Sequence, residues 1–245
     1  MAAAPAKAEA FRRLHDGPDL LVLPNAWDVA TARLIERLGF PAVATTSVGV
    51  AEALGYADGG HTPPAEMLAA AGRMARAVQI PVTADLENGY GLPGDELAVR
   101  AAEAGAVGFN LEDSDHTAPG SLVDAEAHAA RIAAAHEARP ELVINARVDV
   151  YVRKHPGGFE EALRRGRLYL EAGAMCVYPI ILEDEEEIGA LVAALRAPVN
   201  IHVNPGWAPL HRLAELGVRR VSYGGSLFKA ALDEVRRLIE PPSHG

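Results

Sequence analysis

The chain of 245 residues contains a single cysteine, Cys176, which excludes an internal disulfide bond and any metal site built from several thiolates. Because Cys176 lies in an apolar segment, AMCVYPI, we expect it to be a small core residue. Basic residues are also few, since 23 Lys and Arg stand against 33 Asp and Glu for a formal net charge of −10. This deficit argues against nucleic acid and against an anionic membrane surface as partners.

Long hydrophobic runs are lacking as well. No uninterrupted apolar segment approaches the ~20 residues that a membrane-spanning helix needs. The first segment, MAAAPAKAEAF, lacks the sustained apolar stretch of a secretion signal. We therefore expect a cytoplasmic protein, and its mean hydropathy of +0.04 is ordinary for a globular chain.

What the chain does have is a regular alternation of short apolar segments with Ala-, Leu- and Arg-rich amphipathic segments. The predicted strands cover residues 20–24, 42–46, 81–85, 107–111, 142–146, 175–179, 199–203 and 220–223. The predicted helices cover residues 29–38, 64–78, 94–103, 125–138, 159–171, 184–195, 208–216 and 226–239. Strands that alternate with helices indicate parallel βαβ units, so this pattern predicts an α/β protein. Eight units at this length predict one (β/α)8 barrel of the TIM type, with a doubly wound open sheet as the main alternative.

No linker-like or low-complexity segment divides the chain. We therefore expect a single barrel domain over residues 1–245, with only residues 1–10 and 241–245 as loose tails. Four glycines stand between a predicted helix and the next strand, where a left-handed C-cap is expected: Gly39, Gly105, Gly173 and Gly217.

Carboxylates follow three of the predicted strands, at the end of the barrel where active sites lie. Asp85 and Glu87 end the third strand, in PVTADLENGYG, and share one face because strand side chains alternate. Asp58 follows the second strand and Glu112 the fourth. Any one of them could simply cap a helix. Acids that lie close together at one end of the barrel, however, raise each other's pKa unless a cation lies among them. Mg²⁺ takes oxygen ligands and keeps several waters, so it suits this set.

Arg147 follows the fifth strand and offers a planar fork for a substrate carboxylate. A structural ion pair is the alternative role for this arginine. Tyr178 and Asn204 end the sixth and seventh strands and are further candidates for substrate binding.

Five segments carry a resemblance to a known family: PNAWD, TTSVGVAEALGYADG, ADLENGYG, FNLEDS and INARVD. In order and spacing they resemble the isocitrate lyase/phosphoenolpyruvate mutase superfamily, over most of the chain from Leu21 to Phe228. The resemblance implies a (β/α)8 barrel that often exchanges its end helix with a neighbour in dimers or tetramers. It also implies a small carboxylic acid bound with Mg²⁺, for which Mn²⁺ could substitute, and C–C or C–P chemistry through a pyruvate-type enolate.

The resemblance also implies roles for individual residues. Asp85 matches the direct Mg²⁺ ligand, and the acids that match holders of metal-bound water are Asp58, Glu87 and Glu112. Arg147 matches the carboxylate-binding arginine. The segment whose backbone N–H groups meet the substrate carboxylate comprises Thr46, Ser47 and Val48.

The loop after the fourth strand departs from the family. Its sequence, DSDHTAPGSLVD, has neither the Cys nor the Lys of the Lys-x-Cys-Gly-His segment of isocitrate and methylisocitrate lyases. The loop lysine and asparagine of the phosphonate mutase are absent too, and Tyr178-Pro179 replaces the tricarboxylate-specific glutamate. His116 in this loop is a candidate catalytic acid or base, because the ordinary pKa of a histidine lies near neutral pH. The alternative is a lid that closes over the substrate without a chemical role.

We therefore predict an enzyme, a Mg²⁺-dependent lyase or hydrolase that cleaves a C–C bond of a small 2-oxo or 2-hydroxy acid such as an oxaloacetate-like compound. The alternatives are C–P chemistry of the phosphonopyruvate hydrolase or phosphoenolpyruvate mutase type, and a non-catalytic barrel that binds a keto acid.

Overall fold

The computed structural model describes residues 4–118, 120–204 and 210–240. Its strands are β1 (Leu21–Leu23), β2 (Asn25–Ala26), β3 (Val43–Thr45), β4 (Val82–Asp85), β5 (Gly108–Glu112), β6 (Val143–Val148), β7 (Cys176–Pro179), β8 (Asn200–His202) and β9 (Arg220–Ser222). Its helices are α1 (Ala4–Asp16), α2 (Val29–Arg37), α3 (Ser47–Leu54), α4 (Pro64–Ala77), α5 (Gly94–Ala104), α6 (Ala125–Ala138), α7 (Gly158–Glu171), α8 (Glu185–Leu195), α9 (Leu210–Glu215) and α10 (Ser226–Ile239).

The strands close into a barrel. All ladders are parallel, and they run in the order β2-β3-β4-β5-β6-β7 in one sheet and β1-β9-β8 in the other. The two sheets are joined on one side because β1 and β2 are one strand interrupted at Pro24. On the other side a parallel bridge pairs Val177 of β7 with Val199, just before β8. This closure confirms the predicted (β/α)8 barrel over the open sheet.

Every predicted strand is present, with ends that differ by one or two residues. The predicted helices are present as well, although residues 208–209 of the helix predicted over 208–216 lie outside the described residues, as do residues 241–245. The four expected glycine caps have positive φ: 86° at Gly39, 92° at Gly105, 102° at Gly173 and 85° at Gly217. Each therefore adopts a backbone conformation that costs glycine little.

Two segments predicted to be irregular are helical. The prediction of a loose tail over residues 1–10 is wrong, because α1 begins at Ala4 and buries Ala8 and Phe11 against the barrel. Its apolar residues recur at helical spacing within a run of good helix formers, which outweighs the lack of a long apolar stretch. The prediction of a loop between β3 and Asp58 is wrong too, since the first part of this segment forms helix α3, which is capped by Gly55 with φ 88°.

The helices pack around the barrel and bury an apolar layer of Ala, Val, Leu, Ile and Met side chains between themselves and the strands. In the described ranges, no helix combines the length and the apolar character needed to cross a bilayer. The barrel interior contains many polar side chains, such as Asn110, Asn145 and Arg220. Polar residues therefore reach from the interior to the carboxyl ends of the strands, where the predicted site lies.

Candidate functional site

Asp85 ends β4 and is fixed by three hydrogen bonds. The Ser47 N–H donates to its Oδ2 over 3.1 Å, and the Asn110 Nδ2 group donates to its Oδ1 over 3.3 Å. The Asp85 N–H in turn donates to Thr45 Oγ1 over 2.8 Å. The side chain is almost fully buried, with 6% of the residue exposed. Asp85 is therefore a rigidly held carboxylate at the strand end, with lone pairs still available.

The segment predicted to bind a substrate carboxylate lies at the start of α3. Thr46 is extended and precedes the helix, its N–H donates to Ala26 O over 3.1 Å, and the Ser47 N–H is used by Asp85. The Val48 N–H belongs to the first helical turn, where backbone donors have no partner within the helix. Of the three predicted residues, Val48 thus keeps its backbone donor free among the described residues for an anionic ligand.

Glu87 lies in the turn after β4 and has φ 47°, an uncommon conformation for a residue with a side chain. Its Oε2 accepts the Gly59 N–H over 3.0 Å and also the Gly60 N–H, and its Oε1 accepts the Tyr90 hydroxyl over 3.0 Å. These bonds tie the β4 turn to the segment that carries Asp58. Strained backbone that is held by surrounding bonds is typical of functional sites.

The predicted acids influence one another. Burial, together with the negative charges of Asp58, Asp85 and Glu112, raises the pKa of Glu87 to about 7. Burial and the charge of Asp85 also raise the pKa of Asp58. The structure therefore brings together all four acids predicted to form the metal site.

Glu112 ends β5 and Arg147 is the penultimate residue of β6, and the two are register partners. Arg147 Nη1 lies 2.6 Å from Glu112 Oε2, and the other side of the guanidinium binds both oxygens of Asp149. The guanidinium of Arg147, which the sequence predicts to bind a substrate carboxylate, thus faces the buried carboxylate of Glu112. Three of its five N–H donors are used in this way, which leaves two for a ligand. Both roles foreseen for this arginine, ion pairing and carboxylate binding, remain compatible with this arrangement.

Asp149 is a site residue to which the sequence patterns assign no role. Its side chain is fully buried, its Oδ2 accepts the Ser114 hydroxyl, and its N–H donates to Asp113 Oδ1 over 2.8 Å. Asp113 is fully buried too and accepts bonds from Arg165 and Tyr169. The signal was present in the segment INARVD, where an aspartate two residues after the arginine lies on the same face of the chain.

His116 lies in the loop after β5 and contacts two of the acids. Its Nε2 lies 2.7 Å from Glu112 Oε1, and its Nδ1 lies 3.9 Å from Glu87 Oε2. The hydrogen bond with Glu112 raises the pKa of His116, although burial opposes it. A β-carbon at Gly60 would come within 2.7 Å of His116 Nδ1, so this loop packs closely against the segment after α3. The loop is itself ordered by an antiparallel bridge between Ser114 and Leu122.

Tyr178 and Asn204 differ in their surroundings. Tyr178 is the register partner of Arg147 and is buried, which raises its pKa to about 12. Asn204 is exposed, and its Oδ1 accepts the Ser226 hydroxyl over 2.6 Å. The structure thus places Tyr178 beside the acid and arginine cluster, and places Asn204 at the surface next to Ser226.

The side-chain oxygens of the four acids determine which metal ion this site suits. In the part of the chain that the structure describes, no three His, Cys, Asp or Glu side chains are placed to ligate one ion together. Asp85, Asp58, Glu87 and Glu112 supply hard oxygen donors only, several of them already bonded to protein groups. Mg²⁺ takes one or two carboxylates directly and keeps several waters, so this set fits a hydrated Mg²⁺ ion better than a closed protein cage.

Comparisons with known proteins identify the family. A family model described as phosphoenolpyruvate phosphomutase matches residues 11–241. An uncharacterised protein of Mycobacterium tuberculosis is 36% identical over 222 residues, which cover 91% of this chain and 84% of that protein. The 2,3-dimethylmalate lyase of Eubacterium barkeri is 35% identical over 221 residues, which cover 85% of this chain and 75% of that enzyme.

Solved structures give the same result. A structure from Burkholderia cenocepacia J2315, provisionally described as a phosphonomutase, has a TM-score of 0.90 at 38% identity and covers 96% of this chain and 99% of that one. Oxaloacetate acetylhydrolase in complex with the product oxalate has a TM-score of 0.87 at 25% identity and covers 98% of this chain and 88% of that one. The chain therefore belongs to the phosphoenolpyruvate phosphomutase family, within the isocitrate lyase/phosphoenolpyruvate mutase superfamily.

Proposed function

We propose that the protein is a Mg²⁺-dependent lyase or hydrolase that cleaves a C–C bond of a small 2-oxo or 2-hydroxy carboxylic acid, oxaloacetate-like, through a pyruvate-type enolate. Mn²⁺ is a possible substitute for Mg²⁺. The observation that carries the proposal is the gathering of three acids, Asp58, Glu87 and Glu112, around Asp85, next to Arg147 and the first turn of α3. Relatives named as 2,3-dimethylmalate lyase and oxaloacetate acetylhydrolase support the same class of substrate.

Asp85 is assigned the direct contact with the metal, and Asp58, Glu87 and Glu112 are assigned its coordinated waters. When bound, Mg²⁺ would act as a Lewis acid toward the keto or hydroxyl oxygen of the substrate. The two remaining donors of Arg147 and the Val48 N–H would bind the substrate carboxylate, with Thr46 and Ser47 shaping the turn that presents them. Tyr178 lies beside Arg147 and would border the substrate, and the exposed Asn204 is proposed as a further substrate contact.

His116 is assigned proton transfer. Its Nε2 is bonded to Glu112, whereas its buried Nδ1 has no hydrogen-bond partner among the described residues, and Nδ1 is therefore the nitrogen assigned to exchange the proton. In a hydrolase this nitrogen would activate the attacking water, and in a lyase it would protonate the carbon that leaves as an enolate. The alternative role, a lid residue that only excludes water, makes a different kinetic prediction and is tested below.

C–P bond chemistry is the second candidate, because the matching family model is described as a phosphoenolpyruvate phosphomutase. The loop lysine and asparagine that the resemblance associates with the mutase are absent from DSDHTAPGSLVD, which favours C–C cleavage. A non-catalytic barrel that binds a keto acid is the third candidate.

The deciding experiment is a screen of 2-oxo, 2-hydroxy and phosphono acids, with Mg²⁺ or with EDTA, in which pyruvate, oxalate and phosphate are measured. Mg²⁺-dependent release of pyruvate or oxalate from an acid without phosphorus supports C–C cleavage, whereas release of phosphate together with pyruvate from phosphonopyruvate supports the hydrolytic form of the second candidate. Binding of oxalate without turnover of any compound would favour the non-catalytic barrel. Turnover that is equal in EDTA would contradict the assigned metal site.

We also propose a homo-oligomer, a dimer or tetramer, in which α10 is exchanged between neighbours. Helix α10 buries Phe228 but leaves apolar side chains exposed at Leu232, Val235, Leu238 and Ile239. Exposed apolar patches of this kind mark protein interfaces. Partners other than a second copy and the small carboxylic acid are not expected, and a cytoplasmic location stays a prediction.

A further inference from the structure

A layer of buried polar side chains crosses the barrel interior at the level of Asp85. Asp85, Asn110 and Asn145 are register partners in turn on β4, β5 and β6. On the far side of the barrel, Arg220 and Asn200 are register partners on β9 and β8. TIM barrels usually fill these positions with branched apolar residues. A buried polar group costs free energy unless it is bonded, so this layer requires an explanation.

Asn110 stands at the centre of the layer, and its orientation follows from its neighbours. Its Oδ1 accepts the Asn145 Nδ2 group over 2.8 Å and lies 3.4 Å from Arg220 Nη2. Because a guanidinium can only donate, the Asn110 atom that faces Arg220 must be the oxygen. The Asn110 Nδ2 group is then obliged to face Asp85 Oδ1, which lies 3.3 Å away.

Arg220 is held in place by helix α1. Its side chain is fully buried, and the structure gives it no carboxylate partner within ion-pair distance among the described residues. Its Nη1 lies 3.5 Å from His15 Nε2, while His15 Nδ1 lies 2.9 Å from Phe11 O and so must be the donor of that ring. The Phe11 ring lies 5.9 Å from the guanidinium carbon. Helix α1 thus holds the buried guanidinium of Arg220, and its Nη2 group faces Asn110.

We propose that Arg220 and Asn110 are positioning residues that orient the Asp85 carboxylate for Mg²⁺. The chain of contacts runs from α1 through Arg220 and Asn110 to Asp85 Oδ1, while the Ser47 N–H holds Asp85 Oδ2 from the other side. Outer groups that fix a metal ligand commonly change metal affinity or activity by about 10- to 100-fold when they are replaced. This inference rests on the proposed role of Asp85 as the direct ligand.

The test measures metal affinity without substrate, by Mn²⁺ electron paramagnetic resonance and Mg²⁺ calorimetry. Asn110→Leu removes the donor to Asp85, and Arg220→Met removes the group that orients Asn110. Both are expected to weaken binding by about tenfold or more. Asn200→Ser is the matched control, because Asn200 is equally buried in the same layer but bonds to Ser222 instead. This control should lose stability and keep wild-type metal affinity.

Arg220→Lys keeps the experiment decisive if Arg220→Met does not fold. A lysine retains the charge but not the fork, so it should fold, as its melting curve would verify, and still bind Mn²⁺ more weakly. Wild-type affinity in a folded Asn110→Leu or Arg220→Lys variant would overturn this inference alone. Equal loss in Asn200→Ser would also overturn it, since the effect would then follow from general destabilisation. If the wild-type protein binds neither metal, the proposed function fails together with this inference.

Discussion

Arg147 and Asp149 form a two-point ion pair in which Nε lies 2.7 Å from Oδ1 and Nη2 lies 2.9 Å from Oδ2. Parallel bonds of this kind fix the plane of a guanidinium as well as its position. The Nη1 group of the same fork lies against Glu112. The orientation of the arginine that is proposed to bind the substrate is therefore set by a carboxylate that need not touch the substrate.

Asp149→Asn is expected to lower kcat/KM by about 10- to 100-fold, by analogy with other groups that orient a binding side chain. The amide keeps one acceptor but loses the charge that holds Arg147, which leaves a buried cation only partly compensated. Steady-state kinetics on the substrate found by the screen provides the measurement, with Glu186→Gln on the exposed first turn of α8 as control. An unchanged kcat/KM in a folded variant would show that Glu112 alone suffices to orient Arg147.

The proposed metal site predicts that oxalate, a mimic of the pyruvate enolate, raises the melting temperature only when Mg²⁺ is present. At 100 times its Kd a ligand stabilises by about 2.7 kcal/mol, which for a chain of this size corresponds to roughly 5 to 10 °C. Asp85→Ala should abolish the shift, because it removes the direct ligand. Glu87→Gln should reduce the shift without abolishing it, since Glu87 is assigned to a coordinated water.

Differential scanning fluorimetry with Mg²⁺ or with EDTA measures these shifts. A shift of equal size in EDTA would argue against the metal, and a full shift in Asp85→Ala would assign the direct contact to another acid.

The acids could be predicted from the sequence because they follow strands that are easy to recognise. Short apolar segments that alternate with amphipathic ones specify parallel units, and the residues after parallel strands meet at one end of a barrel. Asp85 and Glu112 are therefore placed by the fold alone. Asp58 is brought near them by the segment after α3, whose Gly59 and Gly60 bind Glu87, and this contact could not be foreseen.

The interior of the barrel was harder to predict because strands buried on both sides do not separate an inner from an outer apolar face. Polar residues at alternate positions give the missing signal, as in Asn110 and Glu112 of GFNLE or Asn145 and Arg147 of VINARV. The bond between Arg220 and Asn110 joins residues 110 positions apart in the chain. Contacts of that range depend on how the barrel closes, and a single sequence does not specify them.

His116 is expected to be required for proton transfer, so that His116→Ala and His116→Gln both lower kcat by about 100-fold or more. Glutamine is the informative replacement, because its amide can still donate to Glu112 Oε1 and hold the loop but cannot exchange a proton near neutral pH. The measurement is kcat with KM determined separately. Near wild-type kcat in His116→Gln, with a loss only in His116→Ala, would identify His116 as a lid residue.

His128 predicts a loss of stability in acid that does not involve the site. It is buried on α6 with its ring 4.9 Å from that of Tyr169, and burial, assisted by the positive charge of Arg131, lowers its pKa to about 3. The folded chain therefore holds His128 neutral, while the unfolded chain takes up a proton below its ordinary pKa of about 6.5. This contribution is complete above pH 6.5 and is lost as the pH falls toward 3.

Replacement of His128 by Leu should make the free energy of unfolding less dependent on pH, with a difference of roughly 2 kcal/mol between pH 7 and pH 5. Urea unfolding at a series of pH values measures this, with His211→Leu on the exposed side of α9 as control. Burial also lowers the pKa of His15 to about 3, so a variant with both His15→Leu and His128→Leu should show a still weaker dependence of the unfolding free energy on pH. The same pH dependence of the unfolding free energy in wild type and His128→Leu would mean that the ring takes up a proton as readily in the folded chain as in the unfolded chain.

The exposed face of α10 predicts the oligomer. Leu238 and Val235 are 67% and 52% exposed in the single chain, although each would contribute about 1 to 2 kcal/mol if it were buried by a neighbour. Leu238→Asp combined with Val235→Asp should therefore shift the protein from dimer or tetramer to monomer, as light scattering after size exclusion would measure. Arg236→Gln on the same helix is the control and should leave the mass unchanged. A monomeric wild-type protein would contradict the proposed oligomer, and an unchanged mass in the double variant would place the interface elsewhere than on α10.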